Sequence, residues 1–109
     1  MNAAKMRLMK LFDLFRRPDS GALLEQANLS QSPVIDVRTV MEYRQGHVPG
    51  SINIPLDDIG EASFDPSKTL YLYCRSGARS ANACAQLTRK GYQAINMGGI
   101  LAYRGPLER

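Results

Sequence analysis

The chain of 109 residues has no tryptophan, one histidine and two cysteines. Each shortage excludes something. A nucleophilic triad would have to use His47, the single imidazole, since the base in such sites is most often histidine. His47 precedes Pro49-Gly50 in a turn, and a structural, hydrogen-bonded role is the expectation for it. One histidine with Cys74 and Cys84 does not supply the ligands of a zinc site. Without a recognisable secretory signal, two cysteines read as free thiols and the setting as cytoplasmic. Long apolar runs are also missing. The longest stretch free of Asp, Glu, Lys and Arg, Gly91–Tyr103, falls short of the ~18 residues that suggest a membrane span. No repeat or low-complexity tract is visible. Apolar content of 44% and charged content of 22% are ordinary for one globular domain, and they exclude disorder and a disulfide scaffold.

What the body of the chain lacks most is net charge. The formal total is +4, but Lys5, Arg7, Lys10, Arg16 and Arg17 against Asp13 account for all of it. Residues 18–109 are balanced. The domain-wide basic face of a nucleic-acid binder is therefore absent, and no nucleic-acid partner is expected. Residues 1–17 form a separate basic segment. Leu8, Leu11, Phe12 and Phe15 lie at i, i+3, i+4 and i+7, the apolar stripe of a short helix. Such a helix either docks on the domain or lies against a membrane surface or a partner. Lys10 and Asp13 interrupt it as a signal peptide.

The domain, residues 18–109, opens on a break at Pro18–Gly21. A short helix over Ala22–Asn28 follows, then a β-branched strand, Val34–Val37. Thr39 caps a helix that runs to Gln45 and ends at Gly46. Ser51–Ile54 is a short strand, and Leu56–Gly60 one helical turn. Leu70–Cys74 is the clearest strand. Ala78–Lys90 is a helix stopped by Gly91, Ala94–Asn96 a last strand, and Ile100–Tyr103 a terminal turn. Strands alternating with helices predict an α/β fold: a short parallel sheet of four or five strands with helices on both faces.

Cys74 ends the strongest strand, and a helix starts about four residues later. In open α/β sheets, ligands bind beyond the carboxyl ends of the strands. The loop Cys74-Arg75-Ser76-Gly77-Ala78-Arg79 is short, and Gly77 permits positive φ. A compact loop entering a helix aims several N–H groups inward and makes an anion cradle. The same field, with Arg75 and Arg79, favours a thiolate. A reactive nucleophile with no adjacent general base is the expectation. Asp36 ends a buried strand and needs a partner; Arg38 or a turn N–H can serve. Glu42 has Arg38 four residues earlier, a spacing that suggests a surface ion pair. Cys84 lies too far along its helix, about 10 Å, to bridge Cys74, and reads as a packing residue.

At these motifs the sequence resembles single-domain rhodaneses. The resemblance rests on Asp36-Val37-Arg38, the run Glu42–Pro55, Cys74–Ser80 and Gly98-Gly99-Ile100, and covers about residues 34–103. It implies a sulfurtransferase in which Cys74 takes the outer sulfur of a donor such as thiosulfate, holds it as a persulfide and passes it to a thiol or protein acceptor. It implies Arg75, Ser76, Gly77, Ala78 and Arg79 as the anion-binding loop, Asp36 and Arg38 as supporting residues, and no metal or organic cofactor. The loop has the spacing Cys-x4-Arg. The related phosphatases have Cys-x5-Arg, which makes room for a tetrahedral phosphate, so the short form favours sulfur over phosphate or arsenate chemistry. A persulfide carrier with little thiosulfate turnover is the alternative. Tyr103 stands where many members carry tryptophan.

Overall fold

The structure, a computed structural model, describes residues 19–109. The basic segment over residues 1–17 lies outside them. Helix α1 spans Ser20–Leu29 and starts two residues before the expected position. The cause is local: the Asp19 carboxylate accepts the Gly21 N–H at 2.9 Å, and this side-chain cap draws Ser20 and Gly21 into the first turn. Strand β1, Val34–Asp36, is buried throughout. Helix α2, Val40–Gln45, has the expected Thr39 cap, completed into a reciprocal capping box with Glu42. Strand β2 is only Ile52–Asn53, and a 3-10 turn over Leu56–Glu61 follows. Strand β3, Leu70–Cys74, leads into helix α3, Ala78–Arg89, then strand β4, Ala94–Gly99, and a second 3-10 turn, Ile100–Ala102.

Among the described residues the sheet has four strands, all parallel, in the order β2-β1-β3-β4. Alternation along β3 assigns its side chains to two cores. Leu70, Leu72 and Cys74 join Ile35, Val37, Ile59, Ala83 and Leu87 on the face covered by α3 and the first 3-10 turn. Tyr71 and Tyr73 join Val34, Val48, Met97 and Ala27 on the face covered by α1. Helices therefore cover both faces, as expected. Helix α3 buries Ser80, Ala83 and Leu87, the three- and four-residue spacing of one helical stripe. No helix among the described residues is long and apolar enough to cross a membrane.

Strand β4 is longer than its sequence suggests. Glycine is a poor strand former, yet Gly98 and Gly99 pair with Tyr73 and Cys74 after a register shift between Leu72 and Tyr73. Connections leave β1 and β3 toward opposite edges of the sheet. Their carboxyl ends therefore border the crevice where such folds place ligands, and Cys74 lies at that point.

Candidate active site: a thiol at the mouth of a helix

Cys74 is buried at the end of β3, and the backbone then turns back over it. Gly77 caps α3 at φ +103°, the left-handed conformation that glycine adopts freely. That turn aims amides at the sulfur. The Gly77 N–H donates to Cys74 Sγ at 3.0 Å, the Ser80 N–H at 3.4 Å, and the Ser80 hydroxyl lies at 3.4 Å. Burial pushes the thiol up. The hydrogen bonds from the Ser80 hydroxyl and the Ser80, Gly77 and Ser76 amides outweigh it and hold Cys74 below the ordinary cysteine range. Cys84 is the contrast. With burial alone acting on it, its thiol is pushed up to about 11.

The cradle expected from the loop is present, and its hydrogen bonds lead among the groups that favour the thiolate. Hydrogen bonds dominate, and no arginine nitrogen donates to Sγ among the described residues. Arg75, Ser76 and Ala78 are exposed around the mouth. Arg79 faces Glu42, with Nη1 and Nη2 donating to its two carboxylate oxygens at 2.7 and 3.0 Å. The expected pair between Glu42 and Arg38 does not form. Arg38 is committed elsewhere. Its Nη2 and Nε clasp the Asp36 carboxylate at 2.7 and 3.0 Å, and Nη2 also donates to the Gly46 carbonyl at 2.7 Å. The Arg38 backbone N–H also donates to Asp36, at 2.8 Å. This buried pair lies on the Tyr73 face of the sheet, with the guanidinium 5.7 Å from the Tyr73 ring centroid. Asp36 and Arg38 thus brace the end of β1, on the face opposite Cys74.

Two residues outside the expected loop complete the site. The Ser80 hydroxyl lies 2.7 Å from Asn96 Oδ1, which also accepts the Gly98 N–H at 2.9 Å. Asn96 Nδ2 donates to the Gly77 carbonyl at 3.0 Å. One side chain on β4 therefore ties the loop, the helix start and the glycine pair together. Ser80 carried a sequence signal, since it closes the Cys-x4-Arg-Ser motif. Asn96 carried none, because the loop and helix groups it holds, on Gly77 and Ser80, are sixteen or more residues away in sequence. Gly99 has the loop lying directly on it: a Cβ there would collide with the Arg75 carbonyl and Ser76 Cα.

His47 makes hydrogen-bonded contacts of the expected kind. Its ring stacks on Tyr43 at 3.7 Å, Nδ1 meets the Tyr43 carbonyl at 2.9 Å, and its backbone forms a two-way bridge with Glu108. Tyr73 turns its hydroxyl to the Val48 N–H and to Ser51, both at 3.0 Å, which fixes the turn after α2.

A parallel α/β sheet with a cysteine between its strongest strand and the following helix, cradled by amides, defines a class of small α/β domains. The family model for the rhodanese-like domain matches residues 20–105. The chain belongs to the rhodanese-like domain family. It is 36% identical over 90 residues to a sulfurtransferase of Allochromatium vinosum, covering 78% of this chain and 84% of that one. It is 41% identical over 71 residues to the thiosulfate sulfurtransferase PspE of Escherichia coli, covering 61% and 68%. A solved E. coli rhodanese with anions superimposes with a TM-score of 0.66 at 36% identity, over 72% of this chain and 98% of that one.

Proposed function

We propose that the protein is a sulfurtransferase that carries sulfur on Cys74. The observation that carries this reading is the thiol itself: buried, held below the ordinary cysteine range, and ringed by donors from Gly77 and Ser80. Family membership and the sulfurtransferase relatives support it. The Cys74 thiolate attacks the outer sulfur of thiosulfate. The S–S bond of the donor breaks, its electron pair leaves with sulfite, and Cys74 holds a persulfide anion. An acceptor thiolate, or cyanide in an assay, then takes the outer sulfur and regenerates the thiolate. No net oxidation occurs, and no metal or organic cofactor enters either step.

The chain's own groups serve each state. The Gly77 and Ser80 donors stabilise the thiolate first and the persulfide anion next, in the manner of an oxyanion hole. The first N–H groups of a helix have no intrahelical acceptor. Those of Ala78 and Arg79 remain available to the oxygens of an incoming anion. Arg75, with Ser76, stands exposed at the mouth to attract it. Asp36 and Arg38 support the floor.

Intact mass before and after thiosulfate tests the reading. Wild type gains the mass of one sulfur atom and turns over in a thiosulfate–cyanide assay, whereas Cys74→Ala does neither. Hydrolysis of an aryl phosphate without sulfur loading would overturn it in favour of phosphatase chemistry.

A further inference from the structure

Arg79 sits in the first turn of the helix whose N-terminus faces the thiol, yet its guanidinium is directed to α2. Both halves of the Glu42–Arg79 pair are about two-thirds shielded from solvent, with side-chain exposures of 28% and 35%. The pair is bidentate and charge-assisted, the stronger form of such contacts. Glu42 is also pinned from its own helix: Oε1 accepts the Thr39 N–H at 3.2 Å and the Thr39 hydroxyl at 3.1 Å. The Arg79 hydrogen bond holds the Glu42 carboxyl at about 2, so it stays charged under ordinary conditions. Asp57 lines the same small pocket as Arg79, with Val37, Thr39, Pro55 and Leu56. Arg38 is consumed by Asp36. Of Arg38, Arg75 and Arg79, Arg75 alone has no carboxylate partner among the described residues.

Donor charge then becomes decisive. Thiosulfate brings two negative charges to the Cys74 thiolate, and three must gather as the new S–S bond forms. An ionised organic persulfide brings one. The thiolate attacks its outer sulfur, the donor's S–S bond breaks, and the electron pair leaves on the organic thiolate. Two negative charges are present before and after. The step with more charge depends more on a free guanidinium.

We propose that Glu42 is a specificity-determining residue: by holding Arg79 it withholds a guanidinium from the oxygens of a dianionic donor and turns the site from thiosulfate toward organic persulfides. This rests on the sulfur-transfer reading of Cys74. The experiment compares KM and kcat for thiosulfate and for 2-hydroxyethyl persulfide, whose single charge is on sulfur, in wild type, Glu42→Gln and Asp57→Asn. Glutamine keeps the capping box, so α2 is preserved. Glu42→Gln lowers the thiosulfate KM about fivefold and leaves that for 2-hydroxyethyl persulfide within about twofold, the size expected for a part-shielded pair. Asp57→Asn removes a nearby negative charge that does not hold Arg79, and leaves both values within about twofold. A thiosulfate KM that is unchanged or raised in Glu42→Gln overturns the inference. So does an equal shift for both donors, or an equal shift in Asp57→Asn. In each of those cases wild type still loads sulfur on Cys74. If neither donor loads it, the sulfur-transfer reading itself fails.

Discussion

Ser80 has one hydroxyl proton and three acceptors within reach: Asn96 Oδ1 at 2.7 Å, the Gly77 carbonyl at 3.2 Å and Cys74 Sγ at 3.4 Å. Asn96 Oδ1 is the nearest acceptor. An ionised Cys74 competes for that proton, because a hydrogen bond to a charged acceptor is worth more. Ser80→Ala removes that donor, so the Cys74 thiol rises and less thiolate is present at neutral pH. Iodoacetamide alkylation at pH 7 is expected to slow about fivefold, with the limiting rate at high pH unchanged. A pH profile superimposable on that of wild type would refute the role. Asp36 makes the opposite kind of prediction, one of stability. It is fully buried and its partner Arg38 nearly so. Asp36→Ala leaves a buried guanidinium uncompensated, at a cost of about 3–4 kcal/mol in urea unfolding.

At the scale of elements, β4 and the cysteine loop are built against each other. Gly99 admits the loop because it has no Cβ, and Asn96 ties Gly77 from below. Gly99→Ala is expected to cost about 1–3 kcal/mol of stability by overpacking, and to lower sulfur loading of Cys74 more than a control such as Ala102→Ser on the exposed turn beyond. Sequence reading ended β4 at Asn96, because consecutive glycines do not look like strand. Only the packing of the loop on that strand explains why they belong to it. Helix α3 was legible for the reverse reason: its stripe of Ser80, Ala83 and Leu87, and the glycines that bracket it, are local features. Cys84 on that helix packs against the core with its thiol pushed up by burial. One equivalent of iodoacetamide at neutral pH is therefore expected to modify Cys74 and spare Cys84, as peptide mapping would report.

For the whole molecule, charge is handled by pairing across the fold. Glu42 and Arg79 lie on different helices, thirty-seven positions apart. The Arg79 hydrogen bond lowers the Glu42 carboxyl from 4.5 to about 2. A folded-state value below the unfolded one contributes stability that is fully present above pH 4.5 and is lost as pH falls through about 2. The stability difference between wild type and Glu42→Gln should therefore be constant from pH 7 to about 5 and shrink steadily in more acid solution. A difference that stays constant down to pH 2 would show that the pair does not titrate in this way.

The sequence by itself determined the parallel α/β order, the strand that ends in Cys74, the glycine turn after it and the Thr39 cap, because each depends on neighbours within a few residues. It also located the charge excess in residues 1–17 and left the body neutral. Tertiary structure decided which charges meet. Spacing along the chain proposed Arg38 for Glu42, but Asp36 holds Arg38 on the far face of the sheet and Arg79 arrives from α3 instead. It also decided what favours the thiolate. Hydrogen bonds from Gly77 and Ser80, set by Asn96 on another strand, act at contact distance on the sulfur, while no arginine nitrogen donates to it among the described residues. Local order follows from local chemistry, whereas the partner of a charged side chain is chosen by where the folded backbone brings it.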